Sequence, residues 1–154
     1  MQFLYQLDLR GESAMENLAS HLGYATKDRE VQEFSLRLIS GTKDLRPEVD
    51  QMLQRVAQNW DLRRMACIDR NILRMAIFEI LYCSDIPPNV SINEAIDMGK
   101  KFSTANSGSF INGILDRVKG ELDKKPSAHG AMIEIQSPEG EVQEASDLEE
   151  DFEA

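Results

Sequence analysis

The sequence contains no apolar run that approaches the ~20 residues a membrane-spanning helix needs. Its first residues show no basic segment followed by an apolar stretch and a cleavage site, which a secretory signal would have. The two cysteines, Cys67 and Cys83, do not form a CxxC pair. These absences predict a cytoplasmic protein with two reduced thiols and no membrane partner.

The residues that metal and cofactor sites require are also scarce. There are two histidines, His21 and His129, and neither lies in an HExxH motif or beside a paired cysteine, so we expect no metal site. The glycine-rich nucleotide motifs and the GxSxG nucleophile motif are missing. Glu79 and Glu94 have no histidine or lysine placed by sequence to complete an acid–base pair. We therefore expect neither a cofactor nor enzymatic activity.

Negative charge is abundant but unevenly distributed. The chain has 27 Asp and Glu against 17 Lys and Arg, a net charge of −10. Nine of the acids and none of the bases lie in residues 126–154, which leaves 18 acids and 17 bases in residues 1–125. The acidity of the whole chain therefore does not argue against nucleic-acid binding by residues 1–125.

The same boundary divides the chain by composition. Residues 126–154 are rich in Ser, Gly, Pro and Glu, with one small apolar group at Met132, Ile133 and Ile135. Such a composition predicts a disordered acidic tail, because it buries too little apolar surface to offset chain entropy. Residues 1–125 suffice for one domain, and their helical periodicity predicts an all-α bundle.

Particular residues predict where the helices begin and end. Gly11 is suited to end the first helix, Thr26 to cap the third, and Gly41 to end that third helix. Residues 69–84, with Asp69 as the N-cap, form a helix that is apolar nearly all round, which indicates the buried centre of the bundle. The sequence Ser-Ile-Asn-Glu at 91–94 is typical of a capping box.

Four blocks of sequence carry a resemblance to a known family. They are QFLYQLD at 2–8, DRNILRMAIFEIL at 69–81, PPNVSINEA at 87–95 and FINGILD at 110–116. In order and spacing they resemble the NusB family of bacterial transcription antitermination factors, over roughly residues 1–122. The resemblance implies a compact bundle of about seven helices without catalytic activity.

The resemblance also implies partners. Proteins of this family bind the boxA element of ribosomal-RNA transcripts as a heterodimer with the ribosomal protein also called NusE. That complex joins elongating RNA polymerase together with other Nus factors and resists premature termination. We expect the same partners here, and whether the chain also forms a homodimer stays open.

The resemblance places the RNA along the first helix, the central helix and the start of the last helix. Aromatic side chains there would stack on unpaired bases, backbone N–H groups and lysines would bind phosphate, and a glutamate would accept from a base amino group. The matching residues are Gln2, Tyr5, Glu79, Lys100, Lys101, Asn106, Ser107 and Phe110.

Structural roles are open alternatives for several of these residues. Tyr5 and Phe110 also suit the core, and Glu79 suits a buried pair with an arginine. The single tryptophan, Trp60, is expected to fill the core. Four arginines are expected to lie on a solvated face or to pair with Asp61 and Asp69 rather than contact RNA, namely Arg63, Arg64, Arg70 and Arg74.

Three alternatives concern function. Family members usually carry an arginine-rich segment before the Gln-x-x-Tyr block, whereas this sequence starts at Met1, so we expect weaker RNA binding than is usual for the family. A protein-interaction module of the same fold with weak or no RNA binding is the main alternative. The RNA-recognition domain of a ribosomal-RNA methyltransferase is a further one. The acidic tail either solubilises the chain or competes with RNA phosphates.

Overall fold

The computed structural model describes residues 1–124, and within them the chain forms seven α-helices, two short 3-10 segments and no β-strand. This confirms the predicted all-α bundle of about seven helices. The predicted disordered tail, residues 126–154, lies outside the described residues. The helices are α1 Gln2–Arg10, α2 Leu18–Ala25, α3 Arg29–Asp44, α4 Arg46–Val56, α5 Cys67–Tyr82, α6 Pro88–Phe102 and α7 Ser107–Asp123, with 3-10 segments at Glu12–Asn17 and Leu62–Arg64.

Helix α5 is the centre of the bundle, as its apolar sequence predicts. It packs against α1, α3, α4, α6 and α7. Ile72, Leu73 and Ile77 on α5 are completely buried, and so are Ile111 and Leu115 on α7. A helix that is apolar on nearly every face is stable only when neighbours cover each face, which explains its position.

Two predicted helix ends show what the sequence indicates well and what it does not. Gly11 follows α1 with φ +73°, a conformation that favours glycine, and its N–H donates to the carbonyl of Leu7. The predicted cap at Thr26 is wrong. Asp28 caps α3 by accepting from two N–H groups, because the Thr26 hydroxyl already accepts from the N–H of Asp28.

The predicted N-cap at Asp69 and the predicted capping box at 91–94 are also wrong. Helix α5 begins earlier, at Cys67, so Asp69 lies in its first turn. Helix α6 begins at Pro88, since proline is already set for a first helical position and loses no hydrogen bond there. Ser91 therefore lies inside α6, and its hydroxyl donates to the Glu79 carboxylate at 2.7 Å.

Two glycines allow neighbouring helices to approach closely. Gly41 faces the ring of Phe78 on α5, and a Cβ at this position would overlap that ring. The prediction that Gly41 ends its helix is therefore wrong, because α3 continues to Asp44. Gly99 on α6 has the same relation to Ile111 on α7. The missing side chains are what bring these helices together.

A charged network joins α1 to α4 and α5. The carboxylate of Asp8 lies 2.6 Å from Arg70, 3.5 Å from Arg74 and 3.3 Å from Arg46, while Arg74 also binds Asp50 at 2.7 Å. Burial opposes ionisation of Asp8, but the arginines outweigh it and hold the pKa of this carboxyl well below its usual range.

No helix in residues 1–124 is long and apolar enough to cross a membrane.

Candidate nucleic-acid interface

An open cavity of about 370 Å³ lies where the segment between α4 and α5 meets the segment between α6 and α7. We call it the Trp60 cavity. The 3-10 segment positions one wall, and the first turns of α5 and α7 form the opposite one. The side chains that matter chemically are Trp60, Arg64, Asp69, Asn106, Ser107 and Phe110.

An aromatic pair lines the Trp60 cavity. The Trp60 and Phe110 rings are 5.3 Å apart between centroids and inclined at 62°, an edge-on arrangement. Trp60 is 52% exposed, so the prediction that it fills the core is wrong. Its backbone fixes the residue instead, because its N–H donates to Ala57 and its carbonyl accepts from the Gln54 amide.

The floor of the Trp60 cavity is polar. Ser107 is almost fully buried, and its hydroxyl lies 3.0 Å from an oxygen of Asp69 and 3.2 Å from the N–H of Thr104. The other carboxylate oxygen of Asp69, Oδ1, is buried and has no hydrogen-bond partner among residues 1–124. A buried acceptor in this state is costly to the folded protein.

The start of α7 supplies a site for an anion. The first turn of any helix has N–H groups without partners in the helix, and Asn106 at the N-cap provides no side-chain bond to them. The aliphatic stem of Lys100 lies against Gly108, so its ammonium group belongs to the same surface. Backbone donors and a cation together favour phosphate.

The cations around the Trp60 cavity differ in their pairing. Arg63 binds Asp61 at 3.2 Å, as predicted. Within the described part of the chain, Arg64, Lys100 and Lys101 form no salt bridge. The prediction for Arg70 and Arg74 is wrong, because both are largely buried and bind Asp8 and Asp50 rather than Asp61 and Asp69. Arg64 in the cavity and Lys100 beside it are therefore available to an anion, whereas the Lys101 ammonium lies over the Phe102 ring, 5.1 Å from its centroid.

The structure separates the eight predicted site residues into two groups. Asn106, Ser107 and Phe110 line the Trp60 cavity, Lys100 lies against α7 beside it, and Lys101 is the next residue of α6. The remaining three residues, which are Gln2, Tyr5 and Glu79, do not line it.

Those three residues lie elsewhere. Gln2 is exposed on α1 and borders a separate hollow beside His21, and Tyr5 is half-buried on the same helix. Glu79 is 8% exposed, and its hydrogen-bond partner is the Ser91 hydroxyl rather than an arginine, the alternative that the sequence left open. Whether these residues contact RNA stays a prediction.

Sequence reasoning missed Trp60, Arg64 and Asp69 as members of the site. Trp60 lies in the polar stretch Gln-Asn-Trp-Asp at 58–61, and a lone large aromatic in such a stretch, outside any helical periodicity, is a sign of a surface role. The sequence indicates only an N-cap role for Asp69, because it lies at the start of a predicted helix. Nothing in the sequence shows that Ser107 would occupy one of its oxygens and leave the other unpaired.

Comparison with known proteins decides the family. A scan against protein families matches the NusB family over residues 1–119. The chain belongs to the NusB family. It is 43% identical over 128 residues to the transcription antitermination protein NusB of Myxococcus xanthus, covering 80% of this chain and 91% of that protein. With NusB of Desulforapulum autotrophicum it is 46% identical over 121 residues, covering 77% and 85%.

Solved NusB structures share the fold. T. maritima NusB superposes with a TM-score of 0.72 at 38% identity, covering 78% of this chain and 84% of that one. A chain in the complex of the antitermination factors NusB and NusE with double-stranded RNA gives a TM-score of 0.70 at 23% identity, covering 77% and 89%. At that lower identity the likeness concerns the fold alone. Both family and fold agree with the resemblance seen in the sequence.

Proposed function

We propose that this NusB protein is a transcription antitermination factor that binds boxA-type RNA of ribosomal-RNA transcripts together with the ribosomal protein NusE. The assembly would support processive elongation by RNA polymerase with other Nus factors. Membership of the NusB family supports the proposal, as do solved complexes in which a similar fold occurs with NusE and RNA. The protein acts by binding, with no catalytic step.

The observation that carries this proposal is the Trp60 cavity. Its exposed aromatic ring and the unpaired cations Arg64 and Lys100, in and beside it, are features that bind single-stranded RNA. A base stacks on the accessible face of Trp60, whose position Phe110 supports from the side.

The phosphate that follows this base binds at the start of α7. There it meets backbone N–H groups and the Lys100 ammonium, while Arg64 contacts the backbone from the opposite wall. The family resemblance implies that RNA also contacts Lys101, Gln2 and Tyr5. The proposal places Glu79 outside the RNA surface, because its carboxylate is buried against Ser91.

The test is binding of boxA-type RNA, with and without purified NusE, at two salt concentrations. A scrambled RNA of the same length and composition is the control. We expect binding that tightens with NusE, prefers boxA over the scrambled sequence and weakens as salt rises, since phosphate contacts release counterions. Sedimentation of the same samples tests homodimer formation.

Two results would contradict the proposal. The first is binding to NusE without any contribution from RNA, which would leave a protein-interaction module of the same fold. The second is equal binding of boxA and scrambled RNA in the presence of NusE, which would leave a non-specific polyanion binder.

A further inference from the structure

This chain carries its own polyanion. Residues 126–154, which we call the acidic segment, contain nine Asp and Glu and no Lys or Arg. We propose that the acidic segment binds over the Trp60 cavity and competes with RNA for it. The competition rests on the proposed function, whereas the binding of the segment to the cavity does not.

Charge complementarity favours this surface. Several exposed arginines elsewhere already hold acidic partners, including Arg29 with Glu33 and Arg37 with Asp85. Arg64 lines the Trp60 cavity and Lys100 lies against Gly108 beside it, and neither has a salt-bridge partner among the described residues. A run of carboxylates meets here the same groups that a run of phosphates would meet.

The chain is long enough to return to the cavity. Helix α7 starts there with Ser107 and has 17 residues, so its end lies about 25 Å away at 1.5 Å per residue. An extended chain covers roughly 3.3 Å per residue, and eight residues therefore span about 26 Å. Met132, eight residues beyond Lys124, can reach the cavity, and so can every acid after it.

The acidic segment carries an apolar group near its start, and most of its acids follow that group. Met132, Ile133 and Ile135 form its apolar group, and this group suits the exposed ring of Trp60. The acids that follow are then placed to meet the surrounding cations. Because the segment is tethered, its effective concentration at the cavity is in the millimolar range, so weak contacts suffice to keep it bound.

Fluorescence tests the binding directly, because Trp60 is the only tryptophan in the chain. We would measure acrylamide quenching of the full-length protein without RNA. The apolar variant carries Met132→Ser, Ile133→Ser and Ile135→Ser, and the charge variant replaces all nine acids by the matching amides. A control with equally many apolar changes, further along the segment, carries Val142→Ser, Leu148→Ser and Phe152→Ser.

We expect the quenching constant of the natural protein and the control to be about half that of the apolar and charge variants, as expected for a tethered segment bound most of the time. Equal quenching in all four proteins would overturn the proposal. A low quenching constant in the apolar and charge variants would also overturn the proposal, because another part of the chain would then shield Trp60.

RNA binding tests the competition. The charge variant should bind boxA RNA at least about two-fold more tightly at low salt, because the natural chain is free to bind only for a fraction of the time. The difference should shrink as salt screens both interactions. A gain in RNA affinity with unchanged Trp60 quenching would show simple repulsion and overturn the proposal. If no variant binds RNA, a quenching difference still supports the bound segment, and it is the proposed function that fails.

Discussion

Glu79 is a buried carboxyl whose pKa depends on the groups around it. Its carboxylate is 8% exposed and accepts a 2.7 Å hydrogen bond from Ser91. Burial raises the pKa of this carboxyl above its usual value, and the charge of Glu94 adds to the effect, while the Ser91 hydrogen bond and the charge of Arg37 oppose it. The folded state thus favours the neutral acid more than the unfolded state does.

Replacing Glu79 by Gln should therefore stabilise the protein at alkaline pH. Because the pKa of Glu79 is raised in the folded state, its contribution to stability is fully present below the unfolded-state pKa of about 4.3. That contribution is lost as pH rises through the folded-state pKa. The amide has no charge to bury and still accepts from Ser91, so the free energy of unfolding should rise on the order of 1 kcal/mol at pH 8. Urea unfolding at pH 4 and pH 8 measures the change, which should shrink at pH 4.

Glu94→Gln is the matched control, because Glu94 is exposed on α6 and its replacement should change stability little. A less stable Glu79→Gln protein at pH 8 would contradict the pKa argument. The same variant tests the hypothesis that Glu79 contacts a base. Its RNA affinity should equal that of the natural protein, and a clear loss would restore Glu79 to the RNA surface.

Residue roles were the hardest part to predict from sequence. Asn106, Ser107 and Phe110 line one cavity, and the family resemblance grouped them because it is local to their block, while their contact with RNA stays a prediction. Trp60 and Ser91 were misplaced because their roles depend on segments far along the chain. Ser91 meets a carboxylate 12 residues before it on another helix, and no local pattern contains that contact.

At the scale of the helices, Asp8 holds the first helix to the centre of the bundle. It lies between Arg70 and Arg74 of α5, and its side chain is 9% exposed. Removing the carboxylate leaves two partly buried guanidinium groups with fewer partners, which is costly. This one residue therefore contributes to the docking of α1, which carries Gln2 and Tyr5.

Asp8→Asn should destabilise the protein by about 3 kcal/mol at pH 7, as loss of one partner in a buried ion pair does. In the natural protein, the lowered pKa of folded Asp8 contributes stability above the unfolded-state pKa of about 3.9. This contribution is lost as pH falls toward the folded-state pKa. The gap between variant and natural protein should therefore narrow below about pH 4. Thermal unfolding from pH 7 to pH 3 measures it, and a constant gap would contradict the assignment.

Gly41 and Gly113 give a matched pair of glycines inside helices. Gly41→Ala should cost about 1–3 kcal/mol, since the new methyl group overlaps the Phe78 ring. Gly113 on α7 has open space around it, so Gly113→Ala should stabilise the fold by up to about 1 kcal/mol through helix propensity. Urea unfolding compares the two. Stabilisation by Gly41→Ala would show that α3 and α5 do not approach as described.

Helix existence was predictable and helix ends were only partly so. The central position of α5 follows from its apolar residues, which no other arrangement could bury. Gly11 was correctly interpreted as a helix end, whereas Gly41 was not, because glycine serves both as a terminator and as a point of close approach. Only the facing residue, Phe78, distinguishes the two uses, and sequence alone does not reveal it.

At the scale of the whole molecule, charge is arranged so that a near-neutral bundle presents a local cationic surface. Residues 1–125 carry 18 acids and 17 bases, and many of these pair with one another. Arg64, which lines the Trp60 cavity, and Lys100, which lies beside it, form no salt bridge among the described residues. We therefore expect the location of these free charges, rather than the net charge, to decide where RNA binds in the proposed function.

The central claim is that RNA binds at the Trp60 cavity, and Trp60→Ala tests it most directly. The matched control is Tyr24→Ala, because Tyr24 is an aromatic side chain on α2 that is 94% exposed and does not line the cavity. The measurement is the affinity for boxA-type RNA with NusE present, at one fixed salt concentration. We predict that Trp60→Ala loses about 1–3 kcal/mol of binding free energy, the usual value of one stacked base, while Tyr24→Ala binds as the natural protein does. Unchanged affinity in Trp60→Ala, or an equal loss in both variants, would contradict the account.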